Sequence, residues 1–181
     1  MLKNSEDNYG LVSRAIHWLM ALLIVVLFAV GLYMTGLEDD NASKGAIYDL
    51  HKSFGVVVLL GLIFRLVWLM ITRPPALPRV FGAMEKALTL AVRHSLYLLM
   101  FIVPFSGYAM SNFGGHSVEL FGLAMPTLFA ESEAAGEFME EVHEIGAWIL
   151  IILAVVHMLG ALKHRYFDLD PEADVLRRMW R

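Results

Sequence analysis

The sequence predicts an all-α integral-membrane bundle of four helices. Three observations carry that prediction. Of 181 residues, 58% are hydrophobic and only 18% are charged, well away from the half-apolar, quarter-charged balance of soluble domains. The apolar residues gather into four stretches of about twenty residues, the length that crosses a bilayer. Histidines stand at the ends of three of these stretches, as His17, His51, His143 and His157. An ionisable or metal-binding side chain is costly there unless it serves the bundle interior. The length fits one domain over residues 1–181, and no internal repeat or low-complexity segment divides it. The chain has no cysteine, which excludes disulfides, thiolate chemistry, iron–sulfur clusters and thioether-attached haem.

The elements follow in order. The first span is expected over about 15–35, built on the run from Trp18 to Phe28. It is too long for the apolar part of a cleaved signal peptide, and no small-residue cleavage site follows. The polar Glu38-Asp39-Asp40-Asn41 connection ends it. The second span is expected over about 48–71 and contains Arg65; Arg73-Pro-Pro-Ala-Leu-Pro78 follows, whose prolines cannot continue a helix. The third, over about 90–110, holds Pro104 and Gly107. A long connection over 112–136, with room for a short surface helix before Glu140, leads to the fourth span, over about 138–162.

Orientation follows from the cations. Both termini and the connection after the second span share one side, which carries Lys3, Arg14, Arg73, Arg79, Lys86, Lys163, Arg165, Arg177, Arg178 and Arg181, with Arg65 and Arg93 close to it. The other side has only Lys44 and Lys52. The positive-inside rule therefore predicts cytoplasmic termini. The outer side is acidic, from Glu38, Asp39 and Asp40 through Glu119 to the run between Glu131 and Glu144, so the overall charge of −4 conceals a dipolar split.

This topology sorts the histidines by depth. His17 opens an outward-running span and falls near the inner surface, whereas His51 opens an inward-running one and falls near the outer surface. His143 and His157 are fourteen residues apart on the fourth span, within about 40° of one helix face and about 21 Å apart along it. The partners of matching depth are His17 with His157, and His51 with His143. A lone histidine at a span end is ordinarily an interfacial or packing residue, but four at two matched depths suggest ligation. Structural zinc wants four ligands together, which neither level supplies. A b-type haem needs one imidazole from each side and sits naturally in a four-helix core. The eleven methionines read as core filler. Arg14, Lys52, Arg65 and Arg73 lie near span ends and are the candidates to pair haem propionates.

His164 lies seven residues after His157, two turns along the same face, beside Arg165 and Tyr166. Quinone reduction consumes protons, so this inner-surface cluster is the candidate quinone site. His94 is expected to be structural and His116 solvated.

Several motifs together resemble the bacterial cytochrome b561 family over nearly the whole chain. They are Arg14-Ala-Ile-His17-Trp18, His51 with Gly55, Arg65 with the proline-rich turn, Leu96-Tyr-Leu-Leu with Pro104-Phe-Ser-Gly107, Phe121-Gly-Leu-Ala-Met-Pro126, His143-Glu-Ile-Gly146, and His157 followed by His164-Arg-Tyr-Phe167. The resemblance implies a bacterial inner-membrane cytochrome of the respiratory chain with two non-covalent haems b, each held by two histidines in the pairing above. It also implies ubiquinone or another quinone as substrate, with a role for a histidine at position 164, and superoxide as the candidate outer donor. The acidic outer face departs from that last expectation, since it repels an anion and favours a cationic or basic partner.

Three readings follow. The first is an oxidoreductase passing electrons from an outer-side donor to the quinone pool. The second is an electron-transfer anchor subunit for a periplasmic dehydrogenase or hydrogenase. The third, a haem-free scaffold or transporter, leaves the depth-matched histidines without a role.

Overall fold

A computed structural model describes residues 1–180. Among them, four helices are long and apolar enough to cross a membrane: α1 (Leu11–Thr35), α2 (Lys44–Ile71), α3 (Ala83–Phe113) and α4 (Glu133–Tyr166). They overhang the apolar stretches, most of all at their N-termini. α3 begins seven residues before position 90 and α4 five before position 138. Hydropathy reports the bilayer, whereas good helix formers such as Ala, Met, Glu and Lys in Ala83–Lys86 and Glu133–Glu141 prolong the helix beyond it. Ser132 caps α4, its Oγ accepting from the Ala135 N–H at 3.4 Å. Glu133 in the first turn and Lys163, His164 and Arg165 in the last complement the helix dipole.

The helices alternate in direction. α3 and α4 pack most extensively, α1 against α2 and α2 against α3 less so, and α4 touches α1 only sparsely. The bundle is therefore looser where α4 faces α1 and α2. Its compact core lies at mid-height and joins Met20 of α1, Val58 and Leu62 of α2, Met100 and Val103 of α3 and Leu150 of α4. The outer faces are apolar and exposed, for example Leu19, Leu22, Ile63, Leu98 and Ile152. Such a surface suits acyl chains, where packing of small residues, rather than hydrophobic burial, associates helices. Gly61 against Met20 and Gly146 against Val103 are contacts of that kind.

Each end of the bundle is closed by chain outside the spans. Over the end formed by the α1–α2 and α3–α4 connections lies an antiparallel hairpin, β1 (Glu119–Leu120) with β2 (Leu123–Ala124). This hairpin occupies the connection where the sequence left room for a surface helix, and the helix before Glu140 is the start of α4 itself. Its two-residue turn has Phe121 at φ 51° and Gly122 at φ 88°, the left-handed pair that matches strand twist. Ser53 Oγ donates to the Glu119 carbonyl at 2.7 Å and accepts from the Phe121 N–H at 3.1 Å. The Tyr108 hydroxyl donates to the Pro126 carbonyl. At the other end, the two terminal segments meet. Asn4 Oδ1 accepts from the Gly10 N–H and the Ser13 hydroxyl, while its backbone N–H donates to Thr72. The short helix α5 (Arg177–Trp180) folds back on α1, with the Trp18 indole donating to the Met179 carbonyl at 3.2 Å.

Candidate metal centre

The imidazoles meet at two levels in the loose region between α4 and the α1–α2 pair. At the termini end, His17 of α1 faces His157 of α4, with ring centroids 6.3 Å apart and planes at 72°. At the hairpin end, His51 of α2 faces His143 of α4, with centroids 6.2 Å apart and planes at 76°. Two imidazoles bound at about 2.0 Å on opposite sides of one first-row metal would hold their centroids about 6.2 Å apart, because each centroid lies about 1.1 Å behind its nitrogen. Both separations suit a metal between the rings. Leu150, seven residues from each α4 histidine, is buried midway between the levels.

Local contacts seat the two rings at the hairpin end. His143 Nδ1 lies 2.7 Å from the Val103 carbonyl, which also accepts from Ser106 Oγ at 2.9 Å. A bond from Nδ1–H leaves Nε2 as the metal-facing nitrogen, the usual arrangement of an outer-shell partner. Gly107, one turn beyond Val103, makes the approach possible: a Cβ there would sit 2.9 Å from His143 Cε1 and 3.0 Å from Nδ1. The Pro104-Phe-Ser-Gly107 motif thus builds a seat on α3 for a ring on α4. On the opposite ring, a Cβ at Gly31 would lie 3.5 Å from His51 Cε1. His51 Nδ1 is buried and has no hydrogen-bond partner, and a buried, unpaired ring nitrogen is costly unless a ligand uses it. Gly55, one turn beyond His51, and Gly160, three residues beyond His157, would meet nothing within 4 Å with a Cβ added. Their backbones leave space beside both pairs.

The four basic candidates separate. Arg65 Nη2 lies 3.2 Å from His17 Nδ1, and its Nε donates to the Tyr97 hydroxyl at 2.9 Å. A guanidinium has no acceptor, so His17 Nδ1 accepts and its Nε2 carries the ring proton in this arrangement. Arg14, one turn before His17, has a buried Nε without a partner and lines a cleft of about 560 Å³ with Lys3, Arg177 and Arg178. Lys52 is engaged elsewhere, 3.0 Å from Asp49 and donating to the Ser117 carbonyl at 3.2 Å. Arg73 is exposed and lines a separate cleft with Arg79 and Arg178.

Of the residues at 164–166, only His164 turns inward. Its ring stacks on the buried Phe81 at 4.2 Å, and its Nδ1 lies 2.6 Å from Asp168 Oδ2. Arg165 and Tyr166, each about 100° further round the helix, are exposed, with the guanidinium 5.6 Å from the Tyr166 ring. His94 and His116 are both exposed. Sequence reasoning missed Val103, Phe81 and Asp168, and named Gly107 without its role against the His143 ring. The Pro104-Phe-Ser-Gly107 motif was a signal for Val103 and for that role of Gly107, and the i, i+4 spacing of His164 and Asp168 for Asp168.

The profile of the family described as prokaryotic cytochrome b561 matches residues 8–181. The chain belongs to that family. It is 34% identical over 177 residues to "Cytochrome b561 homolog 2" of Escherichia coli (strain K12), covering 97% of this chain and 93% of that protein. A more distant relative is the "Probable Ni/Fe-hydrogenase B-type cytochrome subunit" of Azotobacter chroococcum mcd 1, 26% identical over 190 residues, covering 83% of this chain and 77% of that one. This family member is therefore a multi-pass membrane cytochrome, and membership implies b-type haem.

Proposed function

We propose that the protein is a di-haem cytochrome that carries electrons across the bacterial inner membrane, with cytoplasmic termini, between an outer-side donor and the quinone pool. His17 with His157, and His51 with His143, would each hold one haem. The observation that carries this reading is the recurrence of one inter-ring distance, 6.3 and 6.2 Å, at two levels of the bundle. The backbone space at Gly55 and Gly160, the unpartnered His51 Nδ1 and the loose packing of α4 against α1 support it.

When bound, the haems would supply two one-electron centres, held by histidines about 21 Å apart along α4. The protein's own groups do the rest. Val103 fixes the His143 tautomer. A haem held through His17 Nε2 would need that ring's proton on Nδ1, and the Arg65 guanidinium, kept on Tyr97 through its Nε, would then be the group available to pair with a haem carboxylate. Arg14, with its unpaired Nε, is the second group for that role. Arg73 and Lys52 would have to leave their present surroundings to contribute.

A second reading, an anchor subunit docking a periplasmic redox enzyme, is favoured by the hairpin-end electrostatics. Lys44 and Lys52 are each ion-paired, to Asp39 at 2.7 Å and to Asp49 at 3.0 Å. Neither remains to focus an anion such as superoxide onto the His51 level, and the surrounding carboxylates suit a basic protein face. The hydrogenase name of the distant relative agrees with that partner class.

The test uses the haem-loaded protein in liposomes containing ubiquinone. Haem reduction by quinol, or quinone reduction driven by an external donor, supports the electron-wire reading. Haem that exchanges electrons with neither quinone nor quinol would overturn it. Superoxide and a cationic redox protein, supplied in separate arms, discriminate the two donors.

A further inference from the structure

At the termini end, outside the imidazole pairs, four charged or titratable groups form a continuous chain. The Gly82 N–H donates to Glu85 Oε2 at 3.1 Å, and Glu85 Oε1 receives Lys163 Nζ at 3.1 Å. The same ammonium lies 2.8 Å from Asp168 Oδ1, and Asp168 Oδ2 lies 2.6 Å from His164 Nδ1. Glu85, His164 and Asp168 bring their ligand atoms within 4.8 Å of one another, as a metal site would. The ammonium of Lys163 already stands between the two carboxylates, so the cluster has its cation.

We propose that Asp168 is the positioning residue for His164 at a quinone site, setting which ring nitrogen exchanges a proton with the substrate. The proposal rests on the quinone reading above. An ionised carboxylate only accepts, so Asp168 requires the proton on Nδ1 and leaves Nε2 as the exchanging nitrogen. Both oxygens of Asp168 are in use, one on His164 and one on Lys163, so the carboxylate cannot rotate without losing a bond. Phe81, stacked at 27°, fixes the plane of the ring.

The charges facing His164 come from each element packed against it: Glu85 of α3, Lys163 of α4 and Asp168 just beyond α4. With the imidazole neutral they sum to −1, and one proton on His164 brings the cluster to zero. The network thus lets His164 pass one proton through Nε2 without any other member of the chain changing its charge. Quinone takes up two electrons and two protons to become quinol. The electrons are two one-electron equivalents from the outer-side donor. His164 gives the Nε2 proton to one carbonyl oxygen and regains it from water at the termini end, and the second carbonyl oxygen takes its proton from that water.

The test is stopped-flow reoxidation of the pre-reduced, haem-loaded full chain by a short-chain ubiquinone across a pH series, with ferricyanide as a proton-independent oxidant. The expected result for Asp168→Ala is reoxidation by quinone slowed about tenfold or more, within the range a positioned acid contributes, with ferricyanide rates and haem content unchanged. Asp168→Asn keeps an acceptor oxygen and loses the charge. It should retain the rate at acid pH while the alkaline fall of its profile moves toward lower pH, and Asp168→Glu should restore the wild-type profile. Wild-type rates and pH profiles in both Asp168→Ala and Asp168→Asn would overturn the proposal, as would parallel loss with both oxidants. A wild-type protein that ferricyanide oxidises and quinone does not would instead overturn the quinone reading itself.

Discussion

Gly107→Ala places one methyl group against the His143 ring and tests whether that ring's position matters to a bound group. The added Cβ would stand 2.9 Å from Cε1 and 3.0 Å from Nδ1, where an ordinary contact is about 3.5–4.0 Å. The ring must retreat by roughly 0.5–1 Å, whereas metal–ligand distances tolerate about 0.2 Å. It cannot slide freely, because Nδ1 is held to the Val103 carbonyl at 2.7 Å. Overpacking of this kind costs about 1–3 kcal/mol. Charged to haem affinity at the hairpin-end site, that is roughly 5- to 150-fold. The assay is haem extracted per chain during dilution or apo-protein competition, with reduced-minus-oxidised spectra. The variant should lose one haem ahead of the other, and Gly45→Ala, an exposed α2 position with nothing within 4 Å of its Cβ, should lose neither. Two haems held by Gly107→Ala as tightly as by wild type would refute the argument.

Other expectations follow from single contacts. Arg65→Met removes a cation roughly 7 Å from a metal on His17, and should lower the midpoint potential of the termini-end haem by roughly several tens of millivolts without shifting the other, read by spectroelectrochemical titration. Burial is the largest cause raising the Tyr9 phenol above its ordinary value, against the lowering influence of Arg93. A phenol raised in the folded state contributes stability below its unfolded value of about 10 that is lost as pH rises through the folded one. Stability against denaturant should therefore fall more steeply above about pH 10 in wild type than in Tyr9→Phe. Ser132→Ala removes the α4 cap and should cost about 1 kcal/mol, read as earlier hydrogen exchange in the first turn of α4.

The part of this fold legible in the sequence is the part that the bilayer dictates. Four apolar runs gave four spanning helices because hydrocarbon forces backbone bonds to close within each segment. Cation asymmetry and span direction assigned the histidines to two depths, and the structure brings together the same two couples. What stayed hidden depends on contacts between elements. The Val103 carbonyl and the missing Cβ of Gly107 act on a ring forty and thirty-six residues away in sequence, and no periodicity reports that. Asp168 lies beyond the last apolar turn, where hydropathy carries no information. Of His164, Arg165 and Tyr166, helix phase selects only the first as inward, and Lys52 and Arg73, plausible from position alone, are engaged by Asp49 and Ser117 or turned to solvent. The loop hairpin was missed because two-residue strands leave no alternating pattern to read.

The central claim is that four histidines hold two haems in two couples. The most direct measurement is haem per chain, with reduced-minus-oxidised spectra, for wild type and for His17→Ala, His157→Ala, His51→Ala and His143→Ala. About two non-covalent b haems in wild type are expected. The first two variants should lose one spectral component in common and the last two the other. Haem retained in all four variants, or spectral losses that couple His17 with His51 or His143, would contradict the account.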